Sequence, residues 1–315
     1  MRDWRVYLTA SVAILCVAVV LARVVGNEYF FFAAYVVLQF IVLATAWNIL
    51  GGYAGYVNFG SGAFFAIGAY TAVALFKAFQ APLLVLLVAA PLVASALGFA
   101  IGVLTLRLRG IFFSIATVAV AVICETVVMN WSFVGGSRGM AVLAPQVTVF
   151  LSYNRLLFVV MTAIALFAVA TARYIETSRI GRGLQAIRDS EVAAESVGVP
   201  TLKLKLAAAS ISGALMGLAG APFALYMSFI EPTSAFSLNY AVSALAMPII
   251  GGTASWIGPV IGALLLGTTQ QIVTVTISSE LNVLVIGLLL VGFVVLAPNG
   301  ILGLLRGRGA TRGAR

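Results

Sequence analysis

The sequence predicts an all-α polytopic membrane protein of about ten transmembrane helices, and three observations carry that reading. Of its 315 residues, 63% are hydrophobic and only 9% are charged, against roughly 45–50% and about 25% in soluble domains. So few charges cannot cover the chain in water. The apolar runs are continuous, without the in/out alternation of barrel strands, so helices are favoured over a barrel. The basic residues cluster in the breaks between runs, where loops would leave the bilayer.

Taken in order, the runs and their breaks predict spans near 7–25, 29–50, 61–79, 82–106, 111–129, 155–174, 204–230, 238–250, 257–277 and 281–298. The first follows Arg2 and Arg5. Its apolar run from Val6 to Ala22 exceeds a signal core of roughly 7–15 residues, and no small-x-small cleavage site follows, so it reads as a retained helix. The run at 238–250 is too short to cross alone, because a crossing helix needs about 20 residues. It reads as a half-helix or part of a re-entrant segment held inside protein. The whole chain, 1–315, forms one transmembrane domain, with a polar segment at 174–204 and a short tail at 299–315.

Charge sets the expected orientation. With the N-terminus in the cytoplasm, 14 of the 18 Lys and Arg residues lie inside, and only Arg23, Lys77, Arg138 and Arg155 lie outside. The reverse orientation inverts this ratio, against the excess of Lys and Arg in cytoplasmic loops. Ten spans then place both termini inside. The net charge of +9 is accounted for by these loops and does not call for nucleic acid.

Two segments stand out for glycine: Trp47 to Gly62, reading Trp-Asn-Ile-Leu-Gly-Gly-Tyr-Ala-Gly-Tyr-Val-Asn-Phe-Gly-Ser-Gly, and Pro248 to Pro259. Each follows an apolar run with Gly-Gly, and each restarts a helix within about ten residues. Interrupted helices in transporters line substrate routes, because freed backbone groups must face protein or water. Close helix packing accounts for the same glycines equally well. Asn48, Gly51, Gly52, Asn58 and Ser61 in the first segment, with Gly251 and Gly252 in the second, are the pathway candidates. Glu125 joins them as an acid inside an apolar run, where a charge at the bilayer centre costs roughly 2.5–3.5 kcal/mol. A structural hydrogen bond to a neighbouring helix is the competing role for Glu125.

The polar 174–204 segment is patterned. Ile180, Leu184, Ile187, Ala194 and Val197 recur at helical spacing, interrupted by Glu191, and Arg182, Arg188, Asp189 and Glu195 mostly take other faces. Gly198 followed by Pro200 is a stop signal. One short amphipathic helix on the cytoplasmic face is expected. Its mixed charge, with Glu191 and Glu195, favours a protein groove over lipid headgroups.

Here a resemblance enters. Glu191-Val-Ala-Ala-Glu-Ser-Val-Gly198 is similar to the Glu-Ala-Ala-x-x-x-Gly signature of ABC-importer permeases. Ser178-Arg-Ile-Gly-Arg182 and Ala186-Ile-Arg188 resemble the branched-chain amino acid type, as do Asn48–Thr71, Leu106–Phe113, Gly135–Gly139, Gly213–Gly220 and Gly251–Gly262. The chain is thus identified as a member of the branched-chain amino acid ABC permease family, of its longer permease type. The resemblance implies a fold like the cobalamin-importer class of permeases. It also implies a second permease subunit, two ATP-binding subunits that carry the ATP, a periplasmic solute-binding protein, and a place in the bacterial inner membrane. Arg179, Gly181, Arg182, Arg188, Glu191, Ala194, Glu195 and Gly198 would then belong to the segment that couples to the ATPase. Val192 departs from the signature's first alanine. Asn58 and Ser61-Gly62 stand where many relatives read Ser and Gly-His, so no role for that histidine carries over.

The remaining chemistry is excluded by residue type. No Gly-x-x-x-x-Gly-Lys-Ser/Thr motif is present, so the chain has no phosphate cradle and no cofactor of its own is expected. Histidine is absent, and Cys16 and Cys124 lie in apolar runs, which leaves neither a metal cluster nor a Ser-His-Asp set. An enzymatic role is not expected. A secondary transporter using Glu125 as a proton site, or a passive channel, remains as the alternative; the first would leave the Arg182–Gly198 helix without a purpose, and the second needs no ATPase partner.

Overall fold

The computed structural model describes residues 2–108, 110–142, 152–276, 281–296 and 300–303. Arg109, the last two residues of the tenth expected span and most of the 299–315 tail lie outside them. The helices, in chain order, are α1 (Arg2–Val24), α2 (Glu28–Ala54), α3 (Ser61–Phe79), α4 (Leu83–Thr105), α5 (Ile111–Met129), α6 (Tyr153–Thr177), α7 (Arg179–Asp189), α8 (Glu191–Ser196), α9 (Thr201–Gly220), α10 (Phe223–Met227), α11 (Pro232–Ala235), α12 (Leu238–Gly251), α13 (Ile257–Thr276) and α14 (Leu281–Leu296). Among the described residues, nine helical stretches are long and apolar enough to cross a membrane. The tenth expected run is occupied by α14, of 16 residues. The chain is an all-α, multi-pass membrane protein.

The short 238–250 run is longer than its apolar stretch suggested. Pro232 starts α11 at its first turn, and the Ser237 side chain then accepts the Asn239 N–H to cap α12. Together Pro232–Gly251 reaches 20 residues, enough to cross. The polar residues that read as a break are the caps of two helices in succession.

The hub is α2, buried almost continuously from Gln39 to Ala54 and surrounded by α6, α9, α12 and α13. An apolar helix without a polar face belongs inside such a bundle. The most extensive packing is between α4 and α9, and its cause is legible in the residues. Ala90, Ala94 and Gly98 recur every four residues on α4, and Gly213 and Gly217 do so on α9. In lipid, where apolar side chains gain little by leaving the solvent, small residues let backbones approach and gain van der Waals contact. A methyl group on Gly98 would lie 2.8 Å from the Ala209 carbonyl, and one on Gly213 would lie 2.8 Å from that of Ala94.

The bundle has two unlike ends. At one lie Arg5, Arg107, the 54–60 turn, α7, α8 and the 252–256 turn. At the other, β1 (Met140–Ala141) pairs antiparallel with β2 (Phe229–Ile230), in register Met140 to Ile230, beside Lys77, Arg138 and Arg155. There the buried Arg155 guanidinium donates to Glu28 Oε1 at 2.8 Å and to the Ala22 carbonyl at 3.2 Å, tying α6 to α1 and α2.

Candidate functional site at the basic end of the bundle

The 178–198 segment is not one helix but two, α7 and α8, and serines make the break. Ser178 caps α7 by accepting the N–H groups of Ile180 and Gly181. Ser190, extended at φ −163°, leaves that helix and caps α8 by accepting from Ala193. A single period through 178–198 is therefore corrected, and the reason is Ser190. The apolar face holds for Leu184, Ile187 and Ala194, all buried. It fails for Val197, which is 80% exposed beside the 60% exposed Val192. Gly198 has φ +84°, the left-handed turn expected of a helix C-terminus, which side chains penalise.

Of the three acids in this segment, Asp189 is exposed, and Glu191 and Glu195 bond within the chain. Glu191 accepts the Lys205 ammonium through Oε1 at 2.6 Å and the Tyr56 hydroxyl through Oε2 at 2.6 Å. Glu195 accepts the Thr201 hydroxyl at 2.7 Å, which joins α8 to the start of α9. Arg188 reaches back to donate to the Gly52 carbonyl at 2.8 Å. Arg179 and Arg182 are exposed, whereas Gly181 is packed against the backbone of Ile175. Outward, this segment presents the basic Arg179 and Arg182, the acidic Asp189 and the apolar Val192 and Val197. A cleft of about 450 Å³ lies between the 54–57 turn, the start of α5 and α7–α8, with Arg188 and Glu191 on its wall. A larger groove, of about 600 Å³, runs between α1, α2, α6 and α13 and is lined by residues such as Val37 and Leu264, with none of the candidate residues among them.

The two glycine segments meet directly. Asn48 donates to the Thr253 carbonyl at 3.2 Å, and a side chain on Gly52 would lie 3.0 Å from that carbonyl. The Glu176 carboxylate joins them from α6, accepting the Tyr53 hydroxyl at 3.3 Å and the Trp256 N–H at 2.6 Å. Nearby, the Arg173 guanidinium lies 5.5, 5.0 and 5.2 Å from the ring centres of Trp4, Tyr7 and Trp256. These are cation–π distances, so the start of α1 is tied to the 252–256 turn. Asn58 caps its own turn through Gly60 N–H at 2.7 Å, while the Trp47 indole donates to the Asn58 carbonyl at 2.8 Å.

Of the pathway candidates, Asn48 Oδ1 and Ser61 Oγ are buried without a protein partner among the described residues, as are Tyr35 OH, Gln39 Oε1, Thr45 Oγ1 and Tyr70 OH. Gly51, Gly52, Gly251 and Gly252 sit where helices end or touch. Gly251 lies against the backbones of Gly258 and Gly262 on α13. Glu125 stands apart from all of these, on α5, half-exposed among the outward-facing Val122, Ile123 and Val127. The structure thus brings the two glycine segments to the basic helices and leaves Glu125 on a separate face.

Sequence reasoning passed over Lys205, Glu176, Tyr56 and Arg173. For Lys205 a signal existed: a lysine between Leu204 and Leu206, five residues into an apolar helix, demands a partner as much as Glu125 does.

Comparison with known proteins bears on most of the chain. Residues 29–294 match the family model described as branched-chain amino acid transport system, permease component. The high-affinity branched-chain amino acid transport system permease protein LivM of Escherichia coli is 29% identical, over 85% of this chain and 68% of its own. BraD of Pseudomonas aeruginosa, of the same described type, is 25% identical over 84% and 91%. The autoinducer 2 import system permease protein LsrC of Yersinia enterocolitica is 30% identical over 42% of this chain and 38% of its own. No solved structure matches the chain.

Proposed function

We infer the role of this chain from its family, for it belongs to the permease components of branched-chain amino acid transport systems. It is a membrane-embedded permease subunit of an ABC importer, and its cargo is branched-chain amino acids or related small polar solutes. The observation that carries this is the family match across residues 29–294, which spans the glycine segments, α7 and α8 together. The partial likeness to an autoinducer 2 permease supports keeping the cargo class as wide as small polar solutes.

The finer reading is our own. The basic end faces the cytoplasm, since it holds Arg5, Arg107, Arg173 and the basic residues of α7 to α9 while the opposite end holds Arg23, Lys77, Arg138 and Arg155. Separate ATP-binding subunits hydrolyse ATP and press on the α7–α8 surface, where Val192 and Val197 present apolar area to a partner groove. Motion then reaches the glycine segments through Arg188 on Gly52 and Glu176 on the 252–256 turn. A second permease completes the route, and a periplasmic binding protein delivers solute from the opposite face in the bacterial inner membrane. Glu125 on the outward face of α5 supports a pathway or subunit contact there, because a lone acid against lipid is costly.

Uptake tests the role. Cells lacking their own leucine transporters should accumulate labelled leucine, isoleucine or valine, or a small amide, only when this chain and its ATP-binding subunits are both present. Uptake that persists with an ATPase-dead partner would move the chain to the secondary-transporter or channel class. Orientation has its own test. In a variant with Cys16 and Cys124 replaced, single cysteines at Ser137 and Ser190 should react with a membrane-impermeant maleimide from opposite sides, Ser137 from outside. Labelling of both from outside would overturn the orientation.

A further inference from the structure

We propose that Lys205 is a positioning residue that holds the coupling helix α8 in register with the helices beneath it, so that force applied to α8 moves the bundle instead of tilting α8 alone. The proposal rests on the permease reading and adds to it the residue through which coupling is kept stiff.

The ammonium of Lys205 is 3% exposed, and its donors are fully used. It gives one hydrogen bond to Glu191 Oε1 at 2.6 Å, one to the Tyr56 hydroxyl at 3.1 Å and one to the Leu106 carbonyl at 3.0 Å. An ammonium has three donors and no acceptor, so three acceptors saturate it. The Tyr56 hydroxyl closes the ring by donating to Glu191 Oε2 at 2.6 Å. Leu106 is the residue that ends α4, where unpaired carbonyls favour a cation. The Tyr56 ring meets Phe113 of α5 edge-on at 5.1 Å. One buried charge thus fixes α8, the turn after α2, the end of α4 and, through Phe113, the start of α5 to its own helix α9.

Chain separation shows why this matters for coupling. Tyr56 and Glu191 lie 135 residues apart, and Lys205 and Leu106 lie 99 apart. Apart from Ala194, α8 has no residue buried in the bundle, and its six residues cannot hold an orientation by packing alone. A saturated hydrogen-bonded ion pair fixes direction as well as distance, which apolar contacts do not. Val192, on the outward side of the same short helix, and Val197, the residue that ends it, take their aim from it.

The test uses the complete transporter, reconstituted with its ATP-binding subunits, and reads solute carried per ATP hydrolysed. Lys205→Met keeps the stem and removes the charge. Glu191→Gln removes the opposite charge, and Tyr56→Phe removes one hydroxyl and keeps the ring on Phe113. Lys205→Met and Glu191→Gln should each hold their ATPase subunits yet carry at least tenfold less solute per ATP. The double variant should fall no further than either single one, because both act through one contact. Spin labels at Val197 and Leu108, both exposed, should show a broadened distance distribution in Lys205→Met. Wild-type yield per ATP with an unchanged distribution in Lys205→Met overturns the proposal. If Lys205→Met does not assemble, Tyr56→Phe decides: a reduced yield per ATP sustains positioning, and a wild-type yield reduces Lys205 to a folding role and overturns it. A wild-type complex that carries no solute is a different failure, that of the permease reading itself.

Discussion

Gly251→Val removes the chain from the folded pool. The expected result is loss of the monodisperse peak when a fluorescent fusion is extracted in mild detergent and run on a sizing column. The reason lies in two backbones. Gly251 ends α12 directly against Gly258 and Gly262 of α13, with the Gly262 nitrogen only 2.9 Å from where a Cβ would stand. Real Cβ atoms do not approach backbone that closely, and backbone, unlike a side-chain tip, cannot turn away. Overpacking a core costs typically about 1–3 kcal/mol when side chains absorb it. Here α13 itself must move, and α13 packs on α2, the hub. Ala119→Val, on the exposed face of α5, is the matched control and should leave the peak intact. A normal peak for Gly251→Val would mean that α12 and α13 do not touch at these glycines.

The second large effect is at the surface offered by α8. Val192 and Val197 are 60% and 80% exposed, and burying a valine is worth about 1.5 kcal/mol or more, roughly tenfold in affinity. Placing a carboxylate there instead adds a desolvation cost. Val192→Asp with Val197→Asp should therefore reduce copurification of the ATP-binding subunits by about a hundredfold while leaving membrane insertion untouched. Neither side chain supports the bundle, so the fold has no reason to respond. Glu191→Arg is a less clean probe of the same surface, because Glu191 is bound to Lys205 and Tyr56 inside the chain. Equal copurification of the double aspartate variant and the wild type would place the partner elsewhere.

How far the residues announced this arrangement follows from range. The spans were legible because each is a local run of apolar residues with a length set by the bilayer. Close helix contact at Gly251 was legible from its glycine pair, whereas the small residues at Gly98 and Gly213 were not read as a contact. Gly198 was legible because a left-handed turn after a helix asks for glycine. The inner face of α7 was legible from period alone at Leu184 and Ile187. Beyond Ser190 the period carries across a break, and a serine cap turns the next helix, so Val197 came out exposed instead of buried. Glu191 reads from sequence as an interruption of the apolar face, with no partner named. Its partners stand 135 residues before it and 14 after it, and no local pattern reports a contact of that separation. Glu176 and Arg173 were missed for the same cause, since their partners Tyr53, Trp4, Tyr7 and Trp256 come from three other segments. Lys205 is the exception: its place in an apolar helix was a local signal.

The central claim is that α7 and α8 form the surface on which a separate ATPase acts. It is tested most directly by crosslinking in the assembled transporter. In a variant with Cys16 and Cys124 replaced, a single cysteine at Val197 is paired by a short bifunctional maleimide, with Phe133, exposed at the opposite end, as the matched second position. The account predicts a covalent product of this chain with an ATP-binding subunit from Val197, whose yield changes on adding ATP, and none from Phe133. A product from Phe133, or none from Val197 in a preparation that carries solute with ATP, would contradict it.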